Sequence, residues 1–148
     1  MHHAIGLARL CPPSRTAFSV GAVIVADDGV ELAHGYSRET DAKVHAEESA
    51  LDKLGSEPRL AGATLYSTLE PCSQRASPGR APCADRILAA GIPRVVIAWR
   101  EPPTFVDDCI GVEKLREHGI EVIELADLAD EAMSMNRHLT LSRDPEPS

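Results

Sequence analysis

A histidine, two cysteines and a nearby glutamate are the residues of this chain best suited to chemistry. His45 stands two residues before Glu47, and Cys72 and Cys83 follow with ten residues between them. An imidazole and two thiolates are good zinc ligands, and three protein ligands leave a fourth position open for water, as catalytic zinc sites do. These residue types therefore predict a catalytic zinc site with a proton carrier beside it.

The two cysteines are expected to bind metal as thiolates. Free N–H groups and a positive dipole at a helix N-terminus stabilise thiolates, and the sequence predicts that Cys83 opens a helix. A zinc ion held in this way lowers the pKa of its water to about 7, so that hydroxide is available at neutral pH. We therefore favour metal binding over the alternative of a buried histidine and two inert thiols.

Spacing alone leaves two candidates for the proton carrier, Glu47 and Glu48. A helix has ~3.6 residues per turn, so residues two apart point about 200° apart, and Glu48 shares the face of His45 better than Glu47 does. Glu47 faces the same site only if His45 lies at the irregular start of the helix.

A noncatalytic zinc staple is the alternative for the metal site. It needs a fourth protein ligand, and Cys109 and His34 are the nearby residues of suitable type. An intact glutamate beside His45 favours an enzyme, because a binding module has no need of a carboxylate against the metal water.

Composition excludes several classes of function. The chain has 148 residues and a formal charge of −8, which argues against long nucleic acids as partners. No apolar stretch approaches the length of a membrane span, and no signal-peptide pattern is visible, so we expect no membrane partner. The four cysteines are then expected to be reduced in a cytoplasm.

Hydrophobic patterning predicts a single α/β domain over residues 1–141, followed by a disordered polar tail over residues 142–148. An Asp-Gly turn between the first two apolar runs indicates a hairpin, and helices alternate with strands after it. The expected fold is a three-layer α/β/α sandwich with a mixed five-stranded sheet. The pattern predicts strands at 20–26, 30–36, 63–67, 94–99 and 120–125. It predicts helices at 5–10, 44–54, 83–90, 109–118 and 126–139.

The arrangement His45-Ala46-Glu47, Pro71-Cys72 and Cys83 resembles the signature of the zinc-dependent cytidine/deoxycytidylate deaminase superfamily, H-x-E…P-C…C. The long segment between the cysteines, together with residues 20–25 and 89–96, looks like the deaminase domain of the riboflavin-biosynthesis pyrimidine deaminase. The similarity covers about residues 4 to 125 and adds the expectation of a cytidine-deaminase-like fold.

Three departures from that enzyme stand out. It usually carries a reductase domain after the deaminase, which we do not expect here. Its usual Asn-Pro before Val-Gly is Phe18-Ser19 in this chain, and its histidine- and glycine-rich intercysteine loop is replaced by residues 73–82. We therefore expect the chemical core to be retained while the positions that read the substrate differ.

The resemblance implies hydrolytic deamination, with one zinc ion held by His45, Cys72 and Cys83. Glu47, rather than Glu48, then carries protons, and an exocyclic amine of an aminopyrimidine-type base, nucleoside or nucleotide becomes a carbonyl as ammonia leaves. Further candidates for contact with the substrate are a stacking ring, a backbone segment, two loop arginines and a residue bordering the site: Phe18, Ala46, Arg75, Arg80 and Trp99.

The riboflavin-type diaminopyrimidine is the first substrate hypothesis. The alternatives are cytosine, cytidine, deoxycytidylate or another amino-heterocycle. A noncatalytic zinc-stabilised binding module is the alternative from another class. The resemblance also implies a homo-oligomer, and we expect a homodimer.

Overall fold

The computed structural model describes residues 1–75, 77–105 and 109–141, and the predicted tail over 142–148 lies outside them. None of the described helices is both long enough and apolar enough to span a bilayer. The strands are β1 (Gly21–Val25), β2 (Glu31–Tyr36), β3 (Thr64–Leu69), β4 (Arg94–Trp99) and β5 (Glu121–Glu124). The helices are α1 (His2–Ala8), α2 (Ala46–Asp52), α3 (Cys83–Ala90), α4 (Gly111–Glu117), α5 (Ala129–Met133) and α6 (Arg137–Leu141).

The five strands form one mixed sheet in the order β2-β1-β3-β4-β5. β1 runs antiparallel to both β2 and β3, whereas β3, β4 and β5 are parallel. The hairpin and the mixed five-stranded sheet predicted from the sequence are confirmed. α3 and α4 supply the crossover connections that parallel neighbours require.

Helices cover both faces of the sheet, which confirms the three-layer prediction. Alternate residues of a strand point to opposite faces, so Val23 packs against α1 while Ile24 joins the larger core on the other side. The face of the sheet with the smaller core packs against α1 and α5. The larger core joins the sheet to α2, α3 and α4 through Ile24, Ala50, Leu65, Ile87, Val95, Ile97, Val112 and Leu115.

The carboxyl ends of β3 and β4 lie side by side, with Leu69 opposite Trp99. The residue after β3, Glu70, is 3% exposed. Its carboxylate accepts the backbone N–H of Glu101 at 3.1 Å and of Val112 at 2.9 Å. One buried side chain thus joins both strand ends to the start of α4, at the edge of an α/β sheet where ligands usually bind.

The single helix predicted over 126–139 is wrong. The chain there forms a 3-10 turn (Ala126–Leu128), α5, a second 3-10 turn (Ser134–Asn136) and α6. Asn136 is 1% exposed, and its side-chain amide accepts the N–H of Ser19 at 2.6 Å and donates to the Ser19 carbonyl at 3.0 Å. This long-range pairing fixes Asn136 at the point where the helix tightens.

A glycine lets α2 approach the sheet. An ideal Cβ built on Gly35 of β2 would lie 2.6 Å from the carbonyl oxygen of Ala46 and 2.7 Å from the backbone nitrogen of Ala50. Both atoms belong to the backbone of α2, so they cannot move aside as a flexible side chain would. The absence of a side chain at position 35 therefore sets the distance between α2 and the sheet.

We predict that Gly35→Ala lowers the free energy of unfolding by about 2 kcal/mol or more, because the added methyl group pushes α2 outward. Gly6→Ala is the control, since nothing lies within 4 Å of the Cβ it would add. Its alanine should be neutral or stabilising, by up to ~1 kcal/mol. Urea unfolding of both variants checks this, and equal stabilities would contradict the packing argument.

Candidate active site

One imidazole and two sulfurs converge at the edge of the sheet. His45 Nδ1 lies 3.6 Å from Cys72 Sγ and 3.5 Å from Cys83 Sγ. His45 precedes α2, Cys72 follows β3, and Cys83 is the first residue of α3. The backbone N–H of Cys83 also donates to Cys72 Sγ at 3.2 Å. The three residues predicted as metal ligands are therefore together, and both sulfurs are buried.

The spacing of these donor atoms fits a zinc ion. Tetrahedral bonds of about 2.0–2.1 Å to nitrogen and 2.3 Å to sulfur place the two atoms about 3.6 Å apart, close to the separations seen here. Within the described ranges, the group has no fourth histidine, cysteine or carboxylate. Cys109 Sγ instead donates to the Pro71 carbonyl, and His34 pairs with Glu31. The donor set leaves one tetrahedral position for water.

The two thiols share a proton unequally. The hydrogen bond with Cys83, aided by His45, holds the pKa of the Cys72 thiol well below its ordinary value. The same hydrogen bond raises the pKa of Cys83, and burial and the charge of Glu47 raise it further. Zinc binds cysteines as thiolates, so a divalent cation would displace the protons that these groups carry.

His45 lies at the irregular start of α2, as the choice of Glu47 requires. It is the residue before the helix and has an extended backbone, with φ −87° and ψ 160°. The angular rule for regular helices therefore does not apply between His45 and Glu47, and both line the same cavity. Glu47 is 4% exposed, and Ser67 Oγ on β3 donates to its Oε1 at 2.5 Å. Sequence reasoning missed Ser67, whose only signal is a hydroxyl within a buried strand.

Glu48 does not line the cavity and is instead surrounded by arginines. Its side chain is 6% exposed and pairs with Arg75 at 2.9 Å, Arg80 at 3.3 Å and Arg86 at 3.2 Å. It also accepts the backbone N–H of His45 at 3.2 Å, which caps α2. Burial acts to raise the pKa of Glu48, but these hydrogen bonds and positive charges outweigh it, and the pKa lies below its ordinary value.

A cavity of about 370 Å³ opens beside the donor atoms, a size that suits a small molecule. Six residues with predicted site roles line it, namely Phe18, His45, Ala46, Glu47, Cys72 and Arg75. Cys83 lies behind them with no exposed surface. Arg80 and Trp99 stand outside this lining as the structure describes it.

An aromatic cluster forms one side of the cavity. The ring of Phe18 meets those of Trp99 and Phe105 edge-on, with centroids 5.1 Å apart in both cases. Trp99 therefore supports Phe18 from behind. Arg38, which has a left-handed backbone at φ 61°, donates from its guanidinium to the carbonyls of Phe18 and Pro12. The segment that carries Phe18 is held in place before any ligand binds.

The two loop arginines differ in environment. The side chain of Arg75 is 2% exposed, and its Nη2 donates to the Lys43 carbonyl at 2.5 Å and pairs with Glu48. Its Nε and Nη1 are buried and make no hydrogen bond within the described residues. Arg80 is more exposed and is paired with Asp41 at 2.8 Å as well as with Glu48.

Glu101 is a further carboxyl group on the cavity wall, beside Glu47 and Glu70, and sequence reasoning missed it. Burial raises the pKa of Glu101 to about 7, and the nearby charges of Cys72 and Glu70 act in the same direction. Its backbone is fixed by the bond to the Glu70 carboxylate. An acidic residue just after a buried parallel strand was the available signal.

Residues 1–99 match the family described as the cytidine and deoxycytidylate deaminase zinc-binding region. The diaminohydroxyphosphoribosylamino-pyrimidine deaminase of Schizosaccharomyces pombe is 41% identical over 136 residues, which are 90% of this chain and 33% of that protein. The riboflavin biosynthesis protein RibD of Aquifex aeolicus is 44% identical over 119 residues, covering 80% of this chain and 31% of that protein.

A solved structure also shows this similarity. The chain is similar to a diaminohydroxyphosphoribosylaminopyrimidine deaminase/5-amino-6-(5-phosphoribosylamino)uracil reductase from Thermotoga maritima, with a TM-score of 0.74 and 36% identity. That match covers 97% of this chain and 41% of the Thermotoga chain. This chain spans about a third of the length of the curated relatives it matches.

We predict that Glu48→Gln lowers the free energy of unfolding by roughly 3–5 kcal/mol, because Arg75 then stays buried without a counter-charge. Asp52→Asn is the control, since Asp52 pairs with Arg86 but is 57% exposed, and its loss should cost less than about 1 kcal/mol. Urea unfolding at neutral pH checks both values.

The same pair of variants has a pH signature. The pKa of Glu48 is lowered on folding, so its contribution is present above the ordinary carboxyl pKa and is lost as pH falls through the folded value. The stability difference between wild type and Glu48→Gln should shrink on acidification. A difference that is constant with pH would show that the charge of Glu48 is not what stabilises the loop.

Proposed function

The chain belongs to the cytidine and deoxycytidylate deaminase family, and from this premise we propose that residues 1–141 form a zinc-dependent hydrolytic deaminase. The reaction replaces an exocyclic amine of an aminopyrimidine-type base, nucleoside or nucleotide by a carbonyl and releases ammonia. The observation that carries the proposal is the convergence of His45, Cys72 and Cys83 beside Glu47 at one cavity.

His45 Nδ1, Cys72 Sγ and Cys83 Sγ would hold the metal. When bound, zinc would supply Lewis-acid chemistry, which lowers the pKa of a coordinated water molecule to about 7. The donor set is ordered before the ion binds, because the backbone N–H of Cys83 donates to Cys72 Sγ and the backbone N–H of His45 donates to the Glu48 carboxylate.

Glu47 is proposed to carry protons through the reaction. Its carboxylate takes one proton from the attacking water and passes it to the ring nitrogen, as the oxygen bonds to the ring carbon. It then takes the second proton from the hydroxyl group on that carbon and gives it to the amine, so that the C–N bond breaks, ammonia leaves and a carbonyl remains. The hydrogen bond from Ser67 fixes one carboxylate oxygen during these transfers. A buried and fixed carboxylate suits this task, since its position does not have to be recovered between steps.

The cavity wall suggests how the base is held. The ring of Phe18 is proposed to stack on it, the backbone at Ala46 to read its polar edge, and Arg75 to face a phosphate or sugar substituent. For Arg80 and Trp99, a direct contact with substrate stays a prediction, because both make other contacts in the free protein.

The riboflavin-type diaminopyrimidine nucleotide is the proposed substrate. The support is that the similar proteins from Schizosaccharomyces and Thermotoga bear the name of that deaminase. Cytosine, cytidine and deoxycytidylate are the alternatives within the same chemistry. We also propose a homodimer acting in the cytoplasm, with light scattering as the test of the dimer.

Ammonia release from a panel of amines by the zinc-loaded protein tests the substrate. We expect the highest kcat/KM on the diaminopyrimidine nucleotide, compared with cytosine, cytidine, deoxycytidylate, guanine and aminotriazines. A higher value on deoxycytidylate would move the assignment to that substrate. Zinc binding with no turnover of any of them would instead favour the noncatalytic module.

We predict that Glu47→Ala keeps the zinc ion held by His45, Cys72 and Cys83 and loses ammonia release by about 10²–10⁴-fold, because the proton carrier is gone while the donor atoms remain. Cys72→Ala is the complementary variant, and its zinc content should fall. Metal analysis and an ammonia assay on both variants check this. Full turnover in Glu47→Ala or full zinc content in Cys72→Ala would overturn the assigned roles.

A further inference from the structure

A second group of potential metal ligands lies on the face of the sheet that α1 covers. It consists of His3 on α1 and of Glu31 and His34 on β2. His3 Nδ1 lies 2.8 Å from Glu31 Oε1, and His34 Nδ1 lies 3.1 Å from Glu31 Oε2. The two imidazole rings are 5.4 Å apart, one on each oxygen of the same carboxylate.

A β-bulge brings two of these residues together. In a regular strand, residues three apart point to opposite faces, so Glu31 and His34 would be separated by the sheet. Here His34 pairs with Val23 and Glu31 with Val25, so that β2 carries an extra residue between them. Val23 and Val25 both pack in the cluster under α1, which places Glu31 and His34 on that face.

The geometry points to a second divalent-metal site formed by His3, Glu31 and His34. Two imidazole nitrogens and one carboxylate suit Zn²⁺, Ni²⁺ or Cu²⁺ rather than Mg²⁺ or Ca²⁺. The donor atoms lie within 4.8 Å of one another, and bonds of about 2.0–2.2 Å require roughly 3–3.5 Å. All three side chains are partly exposed, so small rotations close this gap, and water completes the coordination.

The surrounding charges permit a cation. Lys53 is the neighbouring ammonium group, since its Nζ donates to the His34 carbonyl at 2.6 Å, but it is paired with Glu39 at 2.9 Å. His2 is next to His3 in sequence yet pairs with Glu131 at 3.8 Å, so it lies outside the group.

A metal ion here would cross-link α1 to β2, an edge strand of the sheet. Ions that bind only the folded state stabilise it by mass action, so the site is expected to raise thermal stability. None of the three ligands lines the cavity described above. The proposal is therefore independent of the deaminase assignment and needs no activity assay.

Equilibrium dialysis of untagged protein against Zn²⁺ at pH 7.5 tests the site. Wild type should bind two ions per chain, and the melting temperature should rise further as the second ion binds. His34→Ala and Glu31→Gln should weaken the second binding event by at least roughly 10- to 100-fold and leave the first unchanged. Cys72→Ala should show the reverse, losing the first event and keeping the second.

His2→Ala is the matched control, because it removes a neighbouring histidine of the same helix and should keep both ions. Circular dichroism checks that each variant is folded. If His34→Ala does not fold, Glu31→Gln alone tests the site. Wild type that binds one ion, or a second ion retained in both His34→Ala and Glu31→Gln, would overturn the proposal.

Discussion

The buried carboxylate of Glu48 is the interaction on which the site depends. It joins three parts of the chain that are distant in sequence: the start of α2, the loop between the two cysteines, and α3. A carboxylate with 6% exposure is tolerated only because guanidinium groups and a backbone N–H surround it. These contacts hold the backbone of His45 and the loop that separates Cys72 from Cys83. The positions of the three donor atoms on His45, Cys72 and Cys83 are therefore set by the protein itself.

A second buried carboxylate, Glu70, does the same for the sheet. Where β3 and β4 end together, its two oxygens accept the N–H groups of Glu101 and Val112. Cys72, two residues after Glu70, then emerges beside a rigid strand end. Together, Glu48 and Glu70 fix one sulfur and the imidazole, while the backbone of α3 fixes the other sulfur. Such support is what a preorganised site requires, because catalysis depends on donor atoms that need not move.

The metal-binding part of the site and the cavity wall beside it are formed by different residues. The donor set and Glu47 fit the family pattern, and the cavity beside them has its own wall of Phe18, Arg75 and Glu101. Glu101 adds a half-buried carboxyl group, and burial raises its pKa to about 7. Arg75 adds buried N–H groups with no partner in the described residues. We propose that both bear on which amine the site accepts.

The sequence determined the sheet, the layers and the metal donors, because these follow from local signals. Alternating apolar runs and an Asp-Gly turn suffice for the hairpin, and a His-x-Glu with two later cysteines suffices for the ligand set. The sequence failed where long-range contacts override local propensity. The helix predicted over 126–139 is broken where Asn136 pairs with Ser19, a residue 117 positions away.

The tertiary structure shows the physical reason why Glu47, which the family resemblance favours, faces the cavity while Glu48 does not. Helical spacing favours Glu48, but His45 has an extended backbone before α2, so regular spacing does not apply. The three arginines that form ion pairs with Glu48 come from later parts of the chain. The tertiary structure also showed that Arg75 is buried on the cavity wall while Arg80 lies outside it. It further showed that Ser67 and Glu101 lie at the site. A linear pattern records which side chains are present, whereas their charge environment arises only when distant segments pack together.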